Sequence, residues 1–392
     1  MSEQGMPFNQ LHKQVKFDEQ SEEMTTPFRL EVPAAALADL KERLGRTRWP
    51  DEPPGDPWST GTSLAYLQGL VGYWRDGFDW RAAEAKLNAF PQFVAPVNGI
   101  DLHFIHAPGK RPDAMPLLLS HGWPGSVFEF LRIIPLLQEH FTVVAPSLPG
   151  YGLSFKPGQK RFGSEEMAET FAALMTDVLG YKRYGCQGGD WGASISSVLG
   201  YRYPERVIGI HLNLLVVRRD PKATDDKIYL KQLNNFLKEE TGYQAIQGTK
   251  PQTLAYGLTD SPAGLAAWIV EKFRTWSDCG GNPENAISRD EMLANISLYW
   301  FTGAIGSSFW PYYARLHAGW PIPEGKTVDV PMGYAEFPKE ILIPPRSLAE
   351  KTYTDIRRWT VMDKGGHFAA LEQPEALARD VREFFGSLRQ PG

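Results

Sequence analysis

The residues around Asp190 carry the clearest sign of chemistry in this chain of 392 residues. They read Gly188-Gly-Asp-Trp-Gly192 and stand between a predicted strand and a predicted helix. Small residues two places before and two places after a central residue are typical of a sharp turn that presents a nucleophile at its tip. The stretch alone fits a second interpretation equally well, in which a glycine-rich turn uses Asp190 only as a helix N-cap.

The loop His121-Gly-Trp-Pro-Gly125 follows another predicted strand, at residues 115–120. In folds that present a nucleophile on such a turn, an N–H group of this loop and the N–H group after the nucleophile form an oxyanion hole. This rule assigns the N–H groups of Trp123 and Trp191 to the hole. Taken alone, the loop is also an ordinary Pro-Gly turn.

A histidine and a carboxylate near the C-terminus complete the pattern. His367 follows the last predicted strand and is the candidate base. Glu340 follows the strand before it and is the candidate partner that fixes the imidazole tautomer. Glu336 and Asp329 are rival carboxylates on sequence alone. The order nucleophile, acid, histidine is the order that this kind of fold imposes, and agreement of four elements argues against purely structural roles.

An aspartate at the tip of the turn selects the chemistry. A serine that attacks a saturated carbon would form an ether, which water and a histidine cannot release, whereas a carboxylate forms an ester that they can cleave. Aspartate has an ordinary pKa of about 3.9 and is therefore already ionised at neutral pH. The sequence thus favours either epoxide opening or cleavage of a carbon–halogen bond.

The leaving group separates these two reactions. A halide leaves as an anion that needs only weak N–H donors, whereas an epoxide oxygen leaves as a strongly basic alkoxide. Tyrosine hydroxyls, with an ordinary pKa of about 10, can supply the proton or the hydrogen bond that the alkoxide requires. A predicted helical insertion contains several candidates, namely Tyr229, Tyr243, Tyr256, Tyr299, Tyr312 and Tyr313.

Alternating strands and helices would position these residues. Apolar patterns predict strands at 100–105, 115–120, 141–146, 181–188, 207–215, 328–332 and 355–362. Helices are predicted at 164–179, at 191–203 and from Pro374 onward. This alternation indicates an α/β fold with a mostly parallel central sheet flanked by helices.

The remaining segments predict the domain organisation. Residues 1–26 are polar and predict an extension, and residues 27–96 predict a helical, proline-rich segment whose second helix Ser63 caps. Residues 216–323 lack strand signals and predict an all-helical lid, with helix starts at Ser261-Pro262 and at the capping box of Ser288 and Glu291. The catalytic core then comprises residues 97–215 and 324–392.

Composition excludes several classes of protein. The net charge of -5 and the lack of a basic stripe argue against nucleic acid as a partner. The two cysteines are too few for a disulfide framework and favour a reducing compartment. The sequence has no run of about 18 apolar residues, so no membrane span is predicted. No metal or organic cofactor is needed for the chemistry. The sequence leaves the oligomeric state open, with a homodimer through the lid or the N-terminal segment as one option.

From about Pro27 onward, the chain resembles the microsomal-type epoxide hydrolase family of the α/β-hydrolase superfamily. The matching motifs are HGWPG at 121–125, DSPAGLAAWIVEKF at 260–273, GGDWG at 188–192, FPKE at 337–340 and GGHFAALEQP at 365–374. The resemblance implies an α/β-hydrolase fold with a helical lid and an N-terminal segment that wraps around the catalytic domain.

The resemblance also implies roles for individual residues. Asp190 matches the family's nucleophile, His367 the base that activates water, and Glu340 its acidic partner. Tyr243 matches the first epoxide-binding tyrosine and Tyr312 the second, with Tyr313 as the alternative to Tyr312. The implied activity converts an epoxide, expected to be small and apolar, and water into a vicinal diol.

Two other activities are rivals. A haloalkane dehalogenase also has an aspartate followed by tryptophan, but the paired lid tyrosines argue against it. A catalytically inactive binding protein of the same fold would be expected to lack a member of the triad, and this chain has all three.

Mammalian relatives carry an N-terminal membrane anchor, whereas residues 1–26 are polar here. The soluble fungal and bacterial branch, and a cytoplasmic location, are therefore expected.

Overall fold

A computed structural model describes residues 24–218 and 221–388 of the chain. The predicted polar extension lies outside the described residues except for its last three positions. The described residues form one nine-stranded sheet with the order β1-β2-β3-β5-β4-β6-β7-β8-β9. The strands are β1 Thr26–Phe28, β2 Gln92–Val97, β3 Ile100–Ala107, β4 Met115–Ser120, β5 Phe141–Pro146, β6 Tyr184–Gly188, β7 Val207–Leu212, β8 Met332–Glu336 and β9 Ile356–Val361.

The mode of strand pairing changes once across the sheet. From β5 through β9 all neighbours are parallel, whereas β1, β2, β3 and β5 pair antiparallel with one another in turn. The carboxyl ends of the parallel strands therefore share one edge, at which ligands bind in open α/β sheets. The fold class predicted from the sequence is confirmed.

The prediction that residues 27–96 are helical is wrong at two points, because β1 and β2 join the sheet. The helices of this segment are α1 Ala34–Gly45, α2 Leu64–Asp76 and α3 Trp80–Asn88, and the predicted cap Ser63 accepts from the Tyr66 N–H at the start of α2. The strand signal of β2 was obscured by Pro96, which cannot donate to a ladder. Pro96 is tolerated because β1 pairs only with residues 92–94.

The strand predicted at 328–332 lies instead at Met332–Glu336. Val328 and Val330 are buried like strand residues, but Val328 makes only an isolated bridge, to Tyr353. Pro331 has no N–H group for a ladder, and regular pairing with β7 begins at Met332. The observed strand therefore ends closer to Glu340 than the predicted one.

Helices cover both faces of the sheet, and buried apolar residues form a core on each side. The predicted helix at 164–179 is α-helical only to residue 173, and a π-helical turn, Leu174–Val178, continues it. The core helices are α4 Ile134–Leu137, α5 Ser164–Ala173, α6 Asp190–Arg202, α14 Arg346–Ala349, α15 Ala369–Glu372 and α16 Pro374–Ser387.

The described residues between β7 and β8 form the predicted helical insertion and contain no strand. The Ser261 hydroxyl caps one helix ahead of Pro262, and Ser288 and Glu291 form the predicted capping box. No described helix combines the length and the apolar character that a membrane crossing demands. The helices of the insertion are α7 Lys227–Asn235, α8 Gly242–Thr249, α9 Pro251–Asp260, α10 Pro262–Trp276, α11 Arg289–Thr302, α12 Ile305–Ser308 and α13 Trp310–Ala318.

Candidate active site

The turn between β6 and α6 holds Asp190 in a strained conformation. Its φ angle is 49°, in the left-handed region that non-glycine residues rarely adopt. A Cβ atom at Gly188 would overlap the backbone of Gly192, and one at Gly192 would overlap the carbonyl oxygen of Ser120 in β4. The glycine spacing read from the sequence is therefore a steric requirement of this turn, and strain of this kind is concentrated at functional sites.

The two carboxylate oxygens of Asp190 have different partners. Oδ1 accepts a hydrogen bond from the Trp123 N–H at 2.8 Å. Oδ2 lies 3.2 Å from Nε2 of His367. One oxygen thus occupies the predicted oxyanion hole, and the other faces the candidate base.

The Trp191 N–H, the second donor expected for the oxyanion hole, belongs to the first turn of α6. N–H groups in the first turn of a helix have no acceptor within the helix. They also lie at the positive end of the helix dipole, which stabilises a nearby negative charge. The Trp191 N–H therefore remains a candidate for the second donor. The hydrogen bond present in the structure runs from the Trp123 N–H to the Asp190 carboxylate.

His367 lies between two carboxylates. Its Nδ1–H donates to Glu340 Oε1 over 2.6 Å, and Glu340 Oε1 also accepts from the Ile341 N–H. Both side chains are buried. Burial alone would lower the pKa of His367, but the charges of Glu340 and Asp190 outweigh burial and raise this pKa well above its ordinary value. The bond to Glu340 therefore fixes the orientation of the ring, with Nε2 directed at Asp190.

The backbone fixes the position of the His367 loop. A β-bridge joins Lys339 to Gly366, and the His367 N–H donates to the carbonyl oxygen of Trp276 in the lid. The two rival carboxylates are engaged elsewhere. Asp329 is exposed and bonds to Thr327 and Thr354, and Glu336 accepts from the Trp359 indole N–H. The geometry therefore favours Glu340 as the partner of the histidine.

Two of the lid tyrosines face the nucleophile across a cavity. Tyr243 stacks on Trp123 with ring centroids 5.4 Å apart, and Tyr312 packs edge-on against Trp191 at 4.9 Å. The two tyrosine rings lie 5.6 Å apart. Burial, and then the neighbouring Tyr243 and Asp190, raise the pKa of Tyr312 well above its ordinary value, so its hydroxyl stays protonated and can donate.

This substrate-side cavity has a volume of about 530 Å³, within the range of small-molecule sites. Most of its walls are apolar. Its lining includes Asp190, Trp191, Leu214, Leu215, Val216, Val217, Leu237, Tyr243, Tyr312, Arg315, Leu316, Trp320 and Ile341.

The other tyrosine candidates do not line this cavity. Tyr313 stacks between Trp310 and His317 and does not line the cavity, whereas its neighbour Tyr312 does. Tyr256 is 72% exposed. Tyr299 donates its hydroxyl to the Gly125 carbonyl oxygen, and Tyr229 is buried within the lid. The alternative that Tyr313 replaces Tyr312 is not favoured by this arrangement.

Sequence reasoning missed two residues of the site. Trp276 supplies the carbonyl that holds His367 and packs its ring 5.2 Å from the imidazole. Glu129 lines a small second cavity together with Asp190 and His367. The available signal was a single carboxylate within the apolar run from Val127 to Leu131, because a carboxylate is rarely buried without a partner or a role.

The sheet, the strained turn and the helical lid define a protein of the α/β-hydrolase fold with an aspartate at the nucleophile position. A family model described as alpha/beta hydrolase fold matches residues 115–247. A second model, described as Epoxide hydrolase N terminus, matches residues 25–130. The second match includes β1, β2 and the Trp123 loop.

Relatives that match more than nine-tenths of this chain are also named as epoxide hydrolases. The chain is 47% identical to a putative epoxide hydrolase of Stigmatella aurantiaca, over 93% of this chain and 85% of the relative. It is 38% identical to epoxide hydrolase 1 of Sus scrofa, over 94% and 90%. The crystal structure of juvenile hormone epoxide hydrolase from Bombyx mori matches with a TM-score of 0.84 and 32% identity, over 94% and 96%. The chain belongs to the epoxide hydrolase family.

Proposed function

We propose that this epoxide hydrolase acts through a covalent hydroxyalkyl ester on Asp190. The observation that carries the proposal is the placement of one carboxylate. Asp190 reaches the Trp123 N–H, the His367 imidazole and a cavity lined by Tyr243 and Tyr312. The nucleophile is therefore adjacent to a base and shares a cavity with two proton donors.

In the first step, the epoxide lies in the substrate-side cavity with its oxygen near Tyr243 and Tyr312. Asp190 Oδ2 forms a bond to a ring carbon, and the bond from that carbon to the ring oxygen breaks. The electron pair stays on the oxygen, which takes a proton from a tyrosine hydroxyl. Oδ1 remains in the oxyanion hole as the carbonyl oxygen of the new ester.

In the second step, His367 removes a proton from a water molecule, and the water oxygen forms a bond to Cγ of Asp190. The developing charge falls on Oδ1, which the N–H groups of Trp123 and Trp191 stabilise; one such donor is worth about 3 kcal/mol. The ester bond then breaks, and the imidazolium protonates the departing oxygen of the diol. The proton left on the Asp190 carboxyl returns to the tyrosinate through solvent.

The walls of the cavity support a small apolar epoxide as the substrate class. Among the described residues, the lining contains no ionisable group other than tyrosine apart from Asp190 and Arg315. The two cysteines, Cys186 and Cys279, are buried and free. Free thiols fit a reducing compartment, which supports a cytoplasmic enzyme.

A variant without the base tests the proposal. His367→Ala retains the nucleophile but cannot activate water, so an epoxide should alkylate the protein and remain attached. Intact mass after incubation with styrene oxide should increase by the mass of one epoxide, and digestion should locate the adduct at Asp190. The control His317→Ala removes an exposed lid histidine and should give no lasting adduct. An unmodified His367→Ala protein would contradict the proposal.

A further inference from the structure

A buried lysine lies beside one of the two lid tyrosines. Lys272 belongs to helix α10 of the lid and is only 6% exposed, and its Nζ lies 4.6 Å from the ring centroid of Tyr243. The same ammonium group lies 5.3 Å from the ring centroid of Trp276. Because lysine is almost never fully buried without a partner, the contacts of this ammonium group indicate what it stabilises.

Two carboxylates of the lid also lie close to this ammonium group. Its Nζ pairs with Glu271 Oε2 at 2.5 Å, and the Thr275 hydroxyl donates to the other oxygen of Glu271. Burial raises the pKa of Glu240, and the charge of Lys272 acts against that rise. The pair with Glu271 offsets part of the cost of burying the ammonium group and fixes its position against the Tyr243 ring.

The hydroxyl oxygen of Tyr243 also has a donor. The side-chain amide of Gln244 donates a hydrogen bond to this oxygen over 2.7 Å. The ring itself stacks on Trp123 and lines the substrate-side cavity. A donor at the oxygen and a cation at the ring both favour the negative charge that remains when a phenol gives up its proton.

Tyr312 has a different environment. Burial, and then Tyr243 and Asp190, raise its pKa well above the ordinary value. Among the described residues, no ammonium or guanidinium group stacks on its ring, and Arg315, one turn further along α13, lies over the Trp320 ring at 4.2 Å. Tyr312 is therefore suited to donate a hydrogen bond while it keeps its proton.

We propose that Lys272 makes Tyr243 the tyrosine that protonates the epoxide oxygen; the proposal rests on the covalent mechanism and assigns the proton of its first step. As Asp190 Oδ2 bonds to the ring carbon, the bond from that carbon to the oxygen breaks, and its electron pair takes the Tyr243 proton. The phenolate that remains lies beside the Lys272 ammonium group, and Tyr312 holds the same oxygen by a hydrogen bond. Lys272 does not line the cavity and acts through Tyr243, so it is a positioning residue.

Rapid-quench kinetics over a series of pH values test the proposal. With styrene oxide as substrate, the intact mass of quenched samples gives the rates of alkylation and of ester hydrolysis separately. Lys272→Met removes the charge but keeps an unbranched side chain, so alkylation should slow roughly 10- to 30-fold while hydrolysis stays close to the parental rate. The fall of the alkylation rate at alkaline pH should move to higher pH, because a phenol without a nearby cation ionises less easily. Lys272→Arg keeps the charge and should keep the parental pH profile.

Controls separate the possible failures. Lys238→Met removes an exposed lid lysine that pairs with Glu239 and should change neither the rates nor the pH profile. Tyr312→Phe should slow alkylation without moving its alkaline fall. Equal slowing of both steps in Lys272→Met, or an alkaline fall that stays in place, would overturn the role of Lys272 while His367→Ala still accumulates ester. If His367→Ala forms no ester, the covalent mechanism itself fails, and the proposal fails with it.

Discussion

At the scale of single residues, the chemistry depends on which group stands at the tip of one turn. Asp190 adopts a φ of 49°, a conformation that costs of order 1–3 kcal/mol for a non-glycine residue. In return, its carboxylate reaches both the Trp123 N–H and His367. The strain is tolerated because Gly188 and Gly192 are packed against the neighbouring backbone.

The lid tyrosines give a prediction about the first step. Tyr312→Phe removes a hydroxyl that faces Asp190 across the cavity, so the alkoxide loses one donor and alkylation should slow by about 100-fold. Stopped-flow or rapid-quench measurement of ester formation checks this. The matched control is Tyr313→Phe, because Tyr313 stacks on Trp310 and His317. Slowing in Tyr313→Phe with none in Tyr312→Phe would reverse the assignment.

The second prediction concerns Glu340 and the pH profile of ester hydrolysis. Glu340 and Asp190 hold the pKa of His367 well above its ordinary value, and in the ester state Glu340 is the remaining negative partner. Glu340→Gln should therefore move the half-maximal pH of hydrolysis downward, because the imidazole loses its proton more easily. The maximal rate should also fall, since the imidazole is a weaker base.

A neighbouring carboxylate provides the control for Glu340. Glu336→Gln changes a side chain that bonds to the Trp359 indole, and its pH profile should match that of the parent enzyme. An unchanged profile in Glu340→Gln, or the same shift in both variants, would argue that Glu340 does not act on His367.

At the scale of elements, the site depends on how closely β6 and α6 approach β4. Gly192→Ala should place a methyl group against the Ser120 carbonyl oxygen, and overpacking of this kind costs about 3 kcal/mol. Chemical denaturation measures the loss in the free energy of unfolding. The control Gly69→Ala lies on an exposed face of α2 with no atom near its new Cβ, and it should stabilise the protein slightly. Equal stability of the two variants would contradict the steric account.

Much of the parallel sheet could be predicted because its strands are continuous apolar runs. The limits of β4 and β5 agree with the sequence pattern, and the turn, the loop and the histidine were located from motifs. The antiparallel strands β1 and β2 could not be found this way. β1 has three residues, and β2 contains Pro96, so tertiary pairing rather than local pattern decides their conformation.

The acid partner Glu340 and the second carboxylate Glu129 show where sequence reasoning ends. Asp329, Glu336 and Glu340 were rivals on sequence alone, and only the fold brings Glu340 within 2.6 Å of His367. Glu129 carries no motif of its own. Its proximity to Asp190 arises because a 3-10 turn folds it back toward the oxyanion loop, which no spacing rule indicates.

At the scale of the whole molecule, the C-terminal helix α16 is tied to the sheet through Asp380. This buried carboxylate accepts hydrogen bonds from His211 at 2.9 Å, Arg358 at 2.6 Å and Thr360 at 2.7 Å. Burial raises the pKa of Asp380, but these partners outweigh burial and lower it below its ordinary value. The carboxylate therefore stabilises the fold in its ionised form.

Asp380→Asn should destabilise the protein by about 3 kcal/mol at neutral pH, as expected when a buried ion pair loses one partner. Because the pKa is lowered in the folded state, this contribution is present above the ordinary value of about 4 and is lost as the pH falls through the lower folded value. The difference in melting temperature between parent and variant should therefore shrink below about pH 4.

A surface carboxylate serves as the comparison for Asp380. Asp39→Asn breaks an exposed pair with Arg43, and exposed pairs of this kind contribute about 0–1 kcal/mol. A difference for Asp380→Asn that is as small as that for Asp39→Asn, or that grows in acid, would contradict the account of this network.

One isotope measurement tests the central claim about Asp190 most directly. The enzyme, in excess over styrene oxide, completes a single turnover in water enriched in oxygen-18. The covalent account predicts that the first diol contains no label, because its new oxygen comes from Asp190, and that the peptide containing Asp190 gains one label. Label in the first diol, with none in that peptide, would show that water attacks the epoxide directly and would contradict the account.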